Sequence, residues 1–111
     1  MTDACVFCRI VSGELPSDVV ASDAEFVAFR DVQPRAATHV LVVPRSHHPH
    51  LDEWIAAGGS SDRMLAFVRD TARELDVAGR YRLVTNVGEG AGQVVDHLHW
   101  HVLAGPRLPG F

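Results

Sequence analysis

The chain has 111 residues, 47% of them hydrophobic and 22% charged, which is enough for one globular domain with a real core and too few for two. A net charge of −4 argues against a dedicated nucleic-acid binder, and no apolar run approaches the ~18 residues of a membrane span. All ten basic residues are arginine, so Schiff-base chemistry, lipoyl or biotinyl carriers and P-loops are excluded for want of a lysine amine.

Residues 5–12 predict a short helix stopped by Gly13, with Pro16 beyond it. Strands follow near Val19–Ser22 and Glu25–Asp31, then a turn over Asp31-Val32-Gln33-Pro34. Thr38–Val43 reads as a buried strand ended by Pro44. Leu51–Ala57 predicts a short helix that stops at Gly58-Gly59. Ser60 or Ser61 caps a longer helix reaching Asp76, whose core stripe is Met64, Leu65, Phe67, Val68, Ala72 and Leu75. Tyr81–Val87 and Leu98–Leu103 are the last two strands, with the glycine-rich loop Gly88–Gln93 after the first of them. The pattern is α+β, a single domain over residues 1–111, without regular βαβ alternation.

The seven histidines are clustered: His47, His48 and His50 together, His97, His99 and His101 together, and His39 alone. In a strand, His97, His99 and His101 share one face while Leu98, Trp100 and Val102 take the other. Successive imidazoles then stand roughly 6.6 Å apart along the backbone. Such a row suits two chemistries. Two of its members and a third histidine can hold a catalytic zinc, or neutral imidazoles can serve as nucleophile, phosphate donor and orienter in nucleotidyl transfer. The glycine-rich loop before the row is by itself as readily a plain turn, but beside the row it and Asn86 offer backbone N–H groups and an amide to a phosphate, which favours the second. The one C-x-x-C, Cys5 and Cys8, is a structural zinc half-site, a redox pair or two small buried residues. Its scarcity points to a reducing cytoplasm rather than a disulfide framework.

His97-Leu98-His99-Trp100-His101-Val102-Leu103 resembles the histidine triad pattern. Cys5-Val6-Phe7-Cys8-Arg9-Ile10, Gly13-Glu14-Leu15-Pro16, Phe29 to Pro34, Thr38 to Pro44, and Asn86 with Gly92-Gln93 resemble the bacterial Hint (histidine triad nucleotide-binding) branch of that superfamily. The resemblance implies a fold with about five antiparallel strands and two main helices. It also implies a nucleoside phosphoramidase or nucleotide hydrolase acting on purine nucleoside monophosphate conjugates. Carried over by position, His99 is the nucleophile, its second nitrogen held by the His97 carbonyl. His101 and His39 supply hydrogen bonds or a proton relay. Asp31 accepts from the ribose, while Asn86, Gly92 and Gln93 meet the phosphate region. Cys5, Cys8, His47 and His97 form a structural zinc site, leaving His48 and His50 as surface residues or alternate ligands.

The same resemblance implies a two-fold dimer through helix 61–76 and strand 81–87, with Leu108–Phe111 reaching the partner's site. Val94 departs from the pattern, which has Ser or Thr after Gly-Gln, so a hydroxyl expected near the phosphate is missing. A nucleotide-binding or scaffold protein with vestigial catalysis is therefore the competing reading, and Trp100 is expected in packing rather than in base stacking.

Overall fold

The computed structural model describes residues 4–110. Its elements run α1 (Val6–Val11), β1 (Val19–Ser22), β2 (Phe26–Arg30), β3 (Thr38–Pro44), α2 (Leu51–Ala56), α3 (Ser61–Glu74), β4 (Arg82–Val84), a 3-10 turn at Glu89–Ala91, and β5 (Trp100–Ala104). The strands form one five-stranded sheet in the order β1-β2-β3-β5-β4, antiparallel at every pairing. This is the α+β sheet the sequence predicts.

Period-two alternation divides the central strands between two cores. Phe26, Ala28, Val40, Val42, Leu98 and Val102 face one side, where they pack with Trp54 of α2 and with Met64, Phe67 and Val68 of α3. Val27, Phe29, Leu41 and Val43 face the other and meet Phe7 of α1. The long helix thus fills one face, while six-residue α1 covers only part of the other. The functional histidines lie on that second face.

Three details differ from the sequence reading. Leu65 is 49% exposed, whereas Thr71 is fully buried. Counting by three and four from Met64 gives 67, 68, 71 and 72, so Leu65 is off the stripe and Thr71 is on it. Burial of Thr71 is tolerable because its hydroxyl donates to the Phe67 carbonyl at 2.8 Å. The strand expected at Tyr81–Val87 is paired only over Arg82–Val84. Beyond it the Thr85 hydroxyl donates to the His99 carbonyl at 2.8 Å, in place of a ladder N–H. The strand expected at Leu98–Leu103 likewise begins at Trp100, because the Leu98 N–H donates to the His48 carbonyl instead of to a strand.

The C-terminal residues through Gly110 lie against their own chain, where Arg82 donates to the Pro109 carbonyl. Phe111 lies outside the described residues. Half-buried Trp100 packs against the α3-side core, as expected.

Gly59 marks where α2 turns into α3. A Cβ there would lie 2.2 Å from Trp54 Cε2, inside the indole. Gly59→Ala should therefore cost about 1–3 kcal/mol of stability by overpacking. Gly90→Ala, which meets nothing within 4 Å, should cost much less; equal denaturant midpoints for the two variants would contradict this packing.

Candidate active site and metal centre

Cys5 is the N-cap of α1, and its sulfur accepts the Cys8 N–H at 3.4 Å. The first helical turn thereby puts both thiols on one side. His47 comes from the loop after β3 and His97 from the segment before β5. The Cys8 Sγ–His47 Nδ1, Cys5 Sγ–His97 Nδ1 and Cys8 Sγ–His97 Nδ1 separations are 3.2, 3.4 and 3.5 Å. All four ligand atoms lie within 4.8 Å of one another. Zinc–sulfur and zinc–nitrogen bonds of about 2.3 and 2.0 Å on a tetrahedron give S···N edges of about 3.5 Å, so the cluster has the dimensions of a metal site.

His97 Nε2 lies 2.9 Å from the Pro44 carbonyl. A carbonyl only accepts, so Nε2 carries the proton and Nδ1 turns a lone pair to the thiols. Burial raises the Cys8 thiol to about 11, helped by Cys5 beside it; a bound cation inverts that preference and takes a thiolate.

The same proton accounting resolves the other imidazoles. His99 Nδ1 donates to the His97 carbonyl at 2.8 Å, leaving Nε2 with the lone pair. The Arg35 backbone N–H donates to His39 Nδ1 at 3.0 Å, so His39 carries its proton on Nε2. That Nε2–H donates to His101 Nδ1 at 2.9 Å and lies 3.3 Å from Asp31 Oδ2. His101 consequently bears its own proton on Nε2. The triad therefore presents one lone pair at His99 and one donor at His101. Asp31, His39 and His101 bring ligand atoms within 4.8 Å of one another, close enough to hold an ion, but in this proton arrangement the His39 Nε2–H fills that space, and His97 faces the thiols.

Burial keeps these rings neutral. It lowers His99 and His39 below the usual imidazole value, although the His97 carbonyl pulls His99 up and Asp31 pulls both up. It lowers His97 and His101 to about 4, with neighbouring histidines adding to the effect. Phe7 stands edge-on to His97 and His99 at centroid distances of 5.9 and 5.1 Å, closing the row on the α1 side.

Asp31 is anchored by the Gln33 N–H, which its Oδ1 accepts at 2.9 Å. Asn86 donates to the Ala91 carbonyl, and Gln93 accepts from Gly88 N–H while donating to the Pro49 and Val95 carbonyls. The N–H groups of Gly88, Ala91, Gly92 and Gln93 are all spent inside the loop. Gly92 turns at φ 91°, a region that glycine enters without strain. The loop amides that the sequence suggested as a phosphate cradle thus mainly brace the loop itself. Val94 is 90% exposed.

The sequence reading missed Phe7, which an apolar residue inside the C-x-x-C could have flagged. It also left the roles of His50 and His48 open. His50 is the N-cap of α2, accepting from Glu53 N–H. His48 bridges Ser46 at 3.1 Å and Glu53 at 2.7 Å.

The HIT domain family profile matches residues 12–108. The chain belongs to the HIT family. A purine nucleoside phosphoramidase of Escherichia coli is 35% identical over 110 residues, spanning 97% of this chain and 92% of the relative. A HIT family hydrolase from Clostridium thermocellum superposes with a TM-score of 0.84 at 35% identity, covering 100% of this chain and 98% of the other. A histidine triad protein from Clostridium difficile gives 0.85 at 34%, covering 98% and 96%. No helix among the described residues is long and apolar enough to cross a membrane.

Acid should destabilise this HIT fold through its buried imidazoles. The ordinary value for His101 is 6.5 and the folded value about 4, so between them the unfolded chain binds more protons and stability falls as pH falls. His101→Asn, whose carbonyl can still accept from His39, should make the decline of Tm between pH 6.5 and 4 shallower than in wild type. An unchanged slope would contradict the shift.

Proposed function

We propose that this chain is a nucleoside phosphoramidase or nucleotide hydrolase, acting at the α-phosphate of purine nucleoside monophosphate conjugates through a nucleotidyl-His99 intermediate. The observation that carries the reading is the His99 Nδ1–His97 carbonyl bond of 2.8 Å. It fixes a neutral ring with Nε2 free, which is the form an imidazole nucleophile needs. Nε2 attacks phosphorus and forms an N–P bond as the bond to the leaving nitrogen or oxygen breaks. The leaving atom departs with the bonding pair and takes up a solvent proton. Water then attacks phosphorus, restores the lone pair to His99 and gives a proton back.

His101 donates its Nε2–H to the phosphate, and His39 holds that tautomer. Asp31 is assigned to the ribose hydroxyls and Asn86 to the phosphate region, with Gly92 and Gln93 framing the loop beside it. The purine preference follows the name of the Escherichia coli relative.

Cys5, Cys8, His47 and His97 are the residues that would hold a structural zinc, which would lock the His97 ring and so its carbonyl. Two reduced thiols suit a cytoplasmic location. The β4 edge, paired on one side only among the described residues, and exposed Leu65 of α3 support a homodimer across that edge. Val94 favours one further reading, a nucleotide-binding or scaffold protein with vestigial catalysis, since valine offers no hydroxyl to the phosphate.

The test is incubation with an adenosine or guanosine phosphoramidate and intact-mass detection of nucleotidylated protein. His99→Ala should abolish the adduct and turnover while still binding the monophosphate. His101→Ala should lose roughly 10²–10⁴ in rate, and Val94→Ser should gain rate. Full activity in His99→Ala would overturn the mechanism, and a wild type that binds but never turns over would favour the binding protein. For the metal, Cys8→Ser should cut zinc content well below one per chain by elemental analysis and lower Tm. Equal content in both proteins would refute the assigned ligands.

A further inference from the structure

A pocket of about 220 Å³ opens beside His101, walled by Arg35, His39, Arg82, Asn86 and the tail residues Pro109 and Gly110. It is smaller than the ~300–1,000 Å³ typical of pockets for drug-sized ligands, so it suits a compact group rather than a second nucleoside. Arg82 helps build it by donating to the Pro109 carbonyl. Cross-strand pairing of Val84 with His101 and of Arg82 with Leu103 forms its floor.

Two guanidinium groups, Arg35 and Arg82, give this pocket a positive wall, and Arg35 is the one placed against the histidine relay. Among the described residues, Arg9 pairs with Glu14, Arg30 with Asp18, Arg63 with Glu25, and Arg69 and Arg73 with Asp70. Arg35 has no ion pair among the described residues and is exposed at the pocket wall. Its backbone is pinned there, because its N–H is the donor to His39 Nδ1 at 3.0 Å. Its charge is felt at the relay, where it disfavours protonation of both His39 and His101. In a chain of net charge −4, a cation left without a carboxylate beside the phosphate donor is placed to receive an anion from outside.

We propose that Arg35 makes this pocket an anionic leaving-group subsite, so that the preferred substrates are nucleotide conjugates whose leaving group carries a negative charge, such as a carboxylate. The proposal rests on the nucleotidyl-transfer reading above and adds the class of leaving group to it. Arg35 acts on specificity: it holds the departing portion, while His99 and His101 address phosphorus.

A matched pair tests it: the adenosine 5′-phosphoramidate of glycine, with a free carboxylate, and that of glycine methyl ester, without one. Wild type should favour the carboxylate conjugate by about tenfold in kcat/KM, the size expected of a charged contact near a protein surface, and rising salt should shrink the ratio. Arg35→Gln should lower the ratio several-fold, with Arg82 still in the wall, and Arg35→Lys, which keeps the charge, should keep the preference. A wild-type ratio at or below one, or an unchanged ratio in Arg35→Gln, would overturn the subsite. If neither conjugate is hydrolysed, the catalytic reading fails separately. Equilibrium binding of the same pair then decides the subsite: tighter binding of the carboxylate form by wild type, reduced in Arg35→Gln, sustains it, and equal binding or an unchanged preference in Arg35→Gln removes it.

Discussion

His97 is fully buried, and each of its four polar groups has one assigned direction. Nδ1 faces the thiols of Cys5 and Cys8, Nε2–H donates to Pro44, the backbone N–H donates to Val95, and the carbonyl accepts from His99. A buried polar residue is tolerated only when its groups are paired, and these pairings join four parts of the chain. Helix α1, the end of β3, the loop before β5 and the proposed nucleophile all meet at one ring. The cysteine–histidine cluster and the site on the sheet are therefore coupled through two bonds of one residue. Loosening the cluster frees the ring, and the ring carries the carbonyl that sets the His99 tautomer.

The second constraint is burial without charge. Four imidazoles crowd one face of the sheet, with His39–His101 and His99–His101 centroids 5.2 and 5.1 Å apart. Protonating several at once would set like charges side by side in a poorly solvated place. The face stays neutral by exchanging hydrogen bonds in sequence, from the Arg35 N–H to His39 and from His39 to His101. Neutrality suits the proposed chemistry, because a protonated His99 has no lone pair to offer.

Much of this is legible in the sequence. Residue type at fixed spacing carries the histidine row and the C-x-x-C, since alternation along an extended segment and one helical turn are local geometry, although only His101 of the row lies within β5. The resemblance added His47 and His39, which no local spacing connects to the row. Strand limits were less legible: the Thr85 hydroxyl and the His48 carbonyl replace ladder bonds, and both are tertiary events. The glycine-rich loop reads in the sequence as a plain turn or as a phosphate cradle, and Gln93 and Asn86 brace it from within. Glycine content reports conformational freedom and does not say where the N–H groups point. Arg35 carried no signal in the sequence, because its place depends on a backbone bond to a histidine four residues on.

The central claim concerns where four protons sit, and nitrogen NMR of the imidazole rings reads them directly. Long-range proton–nitrogen correlations at neutral pH should find His99 protonated at Nδ1 only. His39, His101 and His97 should be protonated at Nε2 only. A His99 ring protonated at Nε2, or charged at both nitrogens, would contradict the account, since no lone pair would then face the phosphate.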